Sequence, residues 1–276
     1  MAPRFDTVSF LSDYGLDDEF VGVVKAVIRA IAPHVTVIDV THAVAPHDVR
    51  AGSLALARAI QYLPPGIVLA VVDPGVGSDR RAIAVEAGGQ DGDEGPAAVF
   101  VGPDNGLLAS AVALAGGAHR AVSLTNTDYH LEAPGPTFAG RDVFAPVAAH
   151  LALGADLEDL GELVDPYSLL PAIVPLTRQE DGALVGEVLW VDRFGNAQLN
   201  VGPDEIEAMG DRVMIKIGDK PPRVAHRVTT YAALATGQVG LVVDSYGLMA
   251  VALNRRSAAD ELRIGSGDAV ALEPAP

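Results

Sequence analysis

The chain has 276 residues, 49% of them hydrophobic, and a mean hydropathy of +0.28, enough apolar material for one large core or two smaller ones. Nineteen Lys and Arg against 36 Asp and Glu leave a formal net charge of -17, which repels nucleic acid and anionic membrane surfaces and excludes them as partners. With no cysteine, disulfides, thiolate catalysis and Cys-based zinc sites are excluded; with neither a signal-like N-terminus nor an apolar run near the ~20 residues of a membrane span, a cytoplasmic protein is expected.

The first elements alternate. Short apolar segments at residues 7–13, 35–42 and 66–73, rich in Val and Ile, are separated by helical patterns at 17–32 and 48–60. This β-α-β-α-β order predicts an α/β domain with a mostly parallel sheet covered by helices. Further strands are expected at 81–87 and 97–103, and helices at 105–115 and 143–153. The acidic, Gly-rich stretch 88–95 reads as an exposed hairpin loop without chemistry. The texture changes near Asp165. A Pro-rich segment without period is followed by strand patterns at 183–192, 195–201, 212–218, 226–232, 238–245, 248–254 and 268–274, with no helix between them. This predicts an all-β C-terminal domain, an antiparallel barrel or sandwich. The boundaries expected are 1–165 for the α/β domain, 166–183 for a linker and 184–276 for the β domain.

In open α/β sheets, ligands bind beyond the carboxyl ends of the strands. Asp13, Asp73 and Asp104 each follow a strand there, and three acids so placed point to a site, although Asp is also a common turn and cap residue. Asp73 opens VVDPGVGSDRR, with Arg80 seven residues on. The glycines of that turn are explained by tight backbone geometry; the acid and the two arginines are not. DPGVGS lacks the Lys-Ser/Thr ending of a phosphate-cradling loop, and no GxGxxG opens a helix after the first strand, so nucleotide phosphates are disfavoured. None of the seven histidines forms HExxH or another dense ligand spacing, and no GxSxG elbow is present. His42 and His47, in one loop after the second strand, read as polar loop residues. Trp190 reads as core, since an aromatic within a strand usually packs inward.

FLSDYG, THAVAPHDV, VVDPGVGSDRR, GPDNGLL, PTFAGRDVFAPVAAHLA, VDRFGNAQLN and DSYGLMAVALN together resemble, in order and over nearly the whole chain, the S-adenosyl-L-methionine (SAM) hydroxide adenosyltransferases. These SAM hydrolases are related to fluorinase and chlorinase. The resemblance implies an α/β N-terminal domain, a C-terminal β-barrel and a homotrimer with sites between the N-terminal domain of one subunit and the C-terminal domain of the next. It also implies SAM as substrate with no cofactor and no metal, adenosine and L-methionine as products, and no nucleic-acid or membrane partner.

Residue by residue, the resemblance gives Asp13 the ribose hydroxyls, and Asp73 and Arg80 two of three water-organising positions. Asp192, Phe194 and Asn196 would meet the methionine amine and the adenine. Ser245 and Tyr246 fall near the methionine carboxylate, and Asn254 and Arg255 in the loop along the adenine. The chain departs from the family at the third water-organising position, where the His of TFHGRD is replaced by Ala139, implying reduced activity. Halogenases often carry Tyr where this chain has Asp73, whose negative charge favours water over halide. Two alternatives accompany hydrolysis: a SAM- or adenosine-binding protein with little turnover, and a halide-using adenosyltransferase.

Overall fold

In a computed structural model, residues 4–88 and 98–276 are described, and the chain divides into two compact units, Met1–Ile173 and Val174–Pro276. The first unit contains β1 (Thr7–Ser12), α1 (Phe20–Ile31), β2 (Thr36–Thr41), α2 (Val49–Ala59), β3 (Gly66–Val71), β4 (Ala82–Ala87), β5 (Ala98–Pro103), α3 (Ala109–Leu114), β6 (Ala118–Ser123), α4 (Ala145–Leu153) and β7 (Glu162–Val164). Its sheet runs β2-β1-β3-β5-β4-β6-β7. The strands β2, β1, β3 and β5 are parallel, and β6 shares their direction because β4 is antiparallel to both β5 and β6. The sheet is therefore mostly parallel, as expected.

Both faces of this sheet are covered, which is why its central strands β3 and β5 read as near-continuous apolar runs. Val8, Phe10, Leu69 and Val71 pack with Val24 and Ile28 of α1 and Val147 and Leu151 of α4. The alternate residues Leu11, Val68, Ala70 and Val72 pack with Leu56 of α2 and Val112 of α3. The period-2 alternation of side chains thus divides one run of sequence between two cores. Helix α1 buries Val21, Val24 and Ile28, spaced along one face. Helix α2 starts at Asp48, whose Oδ1 accepts from the Ala51 amide at 2.8 Å. After β1 the chain departs towards β2, and after β3 it departs the opposite way towards β5 and β4. The crevice at the carboxyl ends of β1 and β3 is thus a topological switch point.

The second unit contains β8 (Arg178–Glu180), β9 (Ala183–Val191), β10 (Ala197–Leu199), β11 (Arg212–Ile217), β12 (Arg223–Arg227), β13 (Val239–Val243), β14 (Met249–Leu253), α5 (Ala258–Leu262) and β15 (Ala269–Pro274). Strands β10, β14, β13, β12, β11, β15 and β9 pair in that order, and β9 pairs back with β10. The result is a closed seven-strand barrel, which leaves no ring edge unpaired. All its pairings are antiparallel except β12 with β13. The strand expected at 226–232 instead ends at Arg227, and Tyr231–Ala233 is a 3₁₀ turn. Helix α5 is a further departure from the all-strand expectation; the Ser257 hydroxyl caps it by accepting from the Asp260 amide at 3.0 Å.

Residues 166–173 belong to the first unit. There Arg81 Nη2 donates to Ser168 O at 2.6 Å and the Leu170 amide to Asp104 Oδ1 at 2.9 Å. Residues from Val174 belong to the second unit, where Asn200 Nδ2 donates to Pro175 O at 3.0 Å and β8 pairs with β9. The expected hairpin loop 88–95 lies, apart from Gly88, outside the described residues. Among the described residues no helix is long and apolar enough to cross a membrane.

Candidate functional site

At the switch point a cavity of ≈ 260 Å³ is lined by Asp13, Tyr14, His47, Asp73, Phe138 and Ala139, among others. Asp13 follows β1 and Asp73 follows β3, so adjacent parallel strands deliver both carboxylates to one place. The Asp73 side chain is only 5% exposed. Arg80 Nε lies 2.9 Å from each of its oxygens, an ion pair with the hydrogen bonds a buried carboxylate needs. The turn between them is tight: the Val76 amide donates to Asp73 O and the Ser78 amide to Gly75 O. A side chain at 75 would meet Arg80 Cγ at 3.1 Å, so the glycine leaves room for Arg80 to fold back on Asp73. The guanidinium also lies 5.2 Å from the centroid of the Phe144 ring, fixing its plane.

Asp13 is held from the loop after β2. Its Oδ2 accepts from the His47 amide at 2.8 Å, and His47 takes φ 68° to present that amide. Behind it, Ser12 Oγ and His42 Nδ1 lie 2.8 Å apart, His42 Nε2 is 3.2 Å from Asp39 Oδ1, and Lys25 Nζ donates to Asp39 at 2.9 Å. Burial pushes the Asp39 carboxyl up, but the bonds from Lys25 and His42 outweigh it and hold the group below its usual range. Ser, His and Asp in contact suggest a nucleophilic triad, yet Ser12 is completely buried. The chain is a brace tying the β1 loop to the β2 loop.

Ala139 precedes a π-helical turn, Gly140–Phe144, that leads into α4. Such turns recur at functional sites because they displace the side chains around them. Asp104, the third acid at a strand end, goes elsewhere. It is buried, its Oδ2 accepts from Arg81 Nε at 2.8 Å and its Oδ1 from the Leu170 amide. It braces residues 168–170 and does not line the cavity.

The remaining sequence-selected residues lie in the barrel unit. Asp192 organises the DRFGN turn: its Oδ1 accepts from the Phe194 and Asn196 amides at 2.9 and 2.8 Å, and its Oδ2 from Asn196 Nδ2 at 2.8 Å. The turn leaves Phe194 78% exposed. A cavity of ≈ 480 Å³ is lined by Phe194, Asn196, Tyr231, Leu253, Arg255 and Ser257, among others. Asn254 donates its side-chain amide to Leu234 O at 2.8 Å. Ser245 and Tyr246 sit on a separate turn organised by Asp244, whose Oδ1 accepts from the Tyr246 amide at 2.9 Å. Burial, then Asp192 and Asp244, raise the Tyr231 phenol above its usual range, so both turns send negative charge towards it.

Asp13, Asp73, Arg80 and Ala139 are thus gathered in the first unit, and Phe194, Asn196 and Arg255 in the second. Sequence reasoning misses Tyr14 and Tyr231. Tyr14 stands inside SDYG, but an aromatic next to a strand end reads as core; nothing local marks Tyr231. Among the described residues no group of three or more His, Asp or Glu could hold a metal ion.

Residues 8–161 match the family described as the SAM hydroxide adenosyltransferase N-terminal domain, and residues 186–271 match the corresponding C-terminal domain. The chain is 48% identical over 268 residues to the (R)-S-adenosyl-L-methionine hydrolase of Salinispora tropica, covering 97% of each chain. It is 29% identical to a fluorinase of Actinopolyspora mzabensis, covering 95% of each. Its fold resembles the crystal structure of an uncharacterized conserved protein from Thermotoga maritima, with a TM-score of 0.85, 35% identity, and coverage of 96% of this chain and 99% of the other.

Proposed function

We propose, starting from the fact that this chain belongs to the SAM hydroxide adenosyltransferase family, that it hydrolyses SAM at ribose C5′ to adenosine and L-methionine. The observation that carries this reading is the buried Asp73 carboxylate, paired with Arg80 in the cavity that also holds Asp13. The sulfonium leaves as a neutral thioether and needs no acid. The remaining task is to place a water opposite the C5′–S bond and relieve it of a proton. The water oxygen bonds to C5′, the C–S electron pair goes to sulfur, and the proton passes to Asp73 and then to solvent. Arg80 orients Asp73 and stabilises hydroxide character as it develops.

Asp13, with one oxygen held by the His47 amide, suits the ribose hydroxyls as an acceptor. Phe194 and Asn196 are assigned to the adenine with Arg255 and Asn254, and Asp192 to the methionine amine; Ser245 and Tyr246 are assigned to the methionine carboxylate. SAM is the substrate, and the reaction as written uses no cofactor or metal. The net charge of -17 argues against nucleic-acid and anionic-membrane partners, and a cytoplasmic location is proposed with it. Ala139, which brings no polar group to the cavity, supports a second reading as a SAM- or adenosine-binding protein with little turnover. The anionic Asp73 argues against the halide-using alternative.

Carried out in H₂¹⁸O, turnover is expected to give adenosine labelled at the 5′-oxygen by mass spectrometry. Formation of 5′-chloro-5′-deoxyadenosine as the main product in chloride buffer would put halide transfer first, and tight SAM binding with no product would put the binding protein first.

The assembly proposed is a homotrimer in which the Asp13–Asp73 group of one subunit and the Phe194–Arg255 group of the next serve one substrate. Sedimentation equilibrium is expected to give three times the 28.5 kDa chain mass. A monomer that still binds SAM tightly would remove the shared site.

A further inference from the structure

We infer that the Tyr14 hydroxyl is a further catalytic group, a hydrogen-bond donor to the attacking water on the same turn as Asp13. The inference rests on the hydrolysis proposed above and adds a group to its water site. Tyr14 lines the cavity that holds Asp73 and Ala139. Its ring is held on three sides by Phe10, Phe20 and Phe138, with centroids 6.4, 5.7 and 5.7 Å away. Its amide donates to Ser12 Oγ at 3.3 Å, and the next amide, of Gly15, donates to His42 O at 2.8 Å. The buried Ser12–His42 brace therefore positions this side chain as well as Asp13.

The phenol oxygen lies against the Gly140 backbone: a Cβ built at 140 would stand 2.1 Å from it. Glycine at that position is what admits the hydroxyl, directly beside Ala139. Tyr14 lines the cavity together with Ala139 and Gly140, so its hydroxyl proton can be given to a ligand there. Burial, followed by the charges of Asp13 and Asp73, raises its titration well above the usual phenol range, with Arg80 opposing and Asp142 adding. The group therefore stays protonated and acts as donor, never as base.

Donor and carboxylate divide the work on one water. Asp73 accepts one O–H, the Tyr14 O–H occupies one lone pair, and the second lone pair is left for C5′. As the water loses its proton to Asp73, the phenol's bond is made to a developing hydroxide and strengthens, which places its contribution in the transition state.

Tyr14→Phe removes only the oxygen and keeps the ring contacts. The variant is expected to melt at the same temperature and to bind SAM within about twofold of the parent by titration calorimetry. Its kcat for adenosine formation is expected to fall about tenfold, the scale of one lost hydrogen bond, with KM little changed. In an Ala139→His background the loss should shrink, because an imidazole there would hold the same water. An unchanged kcat for Tyr14→Phe, a loss carried wholly by weaker SAM binding, or an undiminished loss in the Ala139→His background would each overturn the inference while hydrolysis stands. A parent chain that forms no adenosine would instead remove the hydrolysis reading, and this inference with it.

Discussion

Asp73→Asn is expected to slow single-turnover formation of adenosine by ~10² to 10⁴-fold, the usual weight of a positioned acid-base group, with SAM affinity little altered. Asparagine keeps the size of the side chain but cannot take the water's proton. The substitution also removes the negative partner of Arg80, whose side chain is only 16% exposed. A loss of roughly 1–3 kcal/mol in unfolding free energy is therefore expected alongside, read by urea denaturation. The two effects separate cleanly, since rate is measured on protein shown to be folded and to bind SAM. A variant that stays folded and turns over at the parent rate would show that another group receives the proton.

Strands β3 and β5 in the middle of the α/β sheet are legible because each is buried on both faces and reads as an apolar run. Strand β6 is not. Its AHRAVS carries charge because Arg120 reaches across to buried Glu86 at 2.7 Å, a partner that only the fold supplies. Strands β7 and β8, at three residues each, are too short to show a period. In the barrel, HRVTTYA has the β-branched composition of a strand. The chain nevertheless leaves the ladder at Arg227, and Leu234 packs over Gly240, where a Cβ would lie 2.5 Å from it. Closure of the ring through β15 on β9 and β14 on β10 joins strands far apart in sequence, and no local pattern announces it.

The site divides in the same way. Asp73 and Arg80 belong to one turn, so their pairing follows from local geometry. The difference between Asp73 and Asp104 does not. Arg80 and Arg81 are consecutive and extend to opposite sides as the chain enters β4, one binding the acid in the cavity and the other the acid that braces residues 168–170. Sequence shows two acids and two arginines; the sheet places one acid, Asp73, on the cavity wall and the other, Asp104, away from it. Asp192 is a similar case, for its carboxylate already accepts three bonds within its own turn. Contact with a methionine amine would add to that set without displacing it, since an ionised carboxylate offers about four acceptor positions.

Ala139→His is expected to raise the rate of adenosine formation ~10² to 10⁴-fold. The residue lines the Asp73 cavity and has helical backbone angles, φ -56° and ψ -29°, at the entry to the π-helical turn, so a histidine there meets no backbone strain. An imidazole in that position would share with Asp73 the work of orienting and deprotonating the water. SAM affinity should change little, because the groups assigned to ribose, adenine and methionine lie elsewhere. Asp73→Asn in the Ala139→His background should abolish the gain, since groups acting on one water are coupled and their effects do not add. Single-turnover measurements on the parent, the histidine variant and the double variant test this directly. A histidine variant no faster than the parent, with folding and SAM binding intact, would show that position 139 does not reach the water.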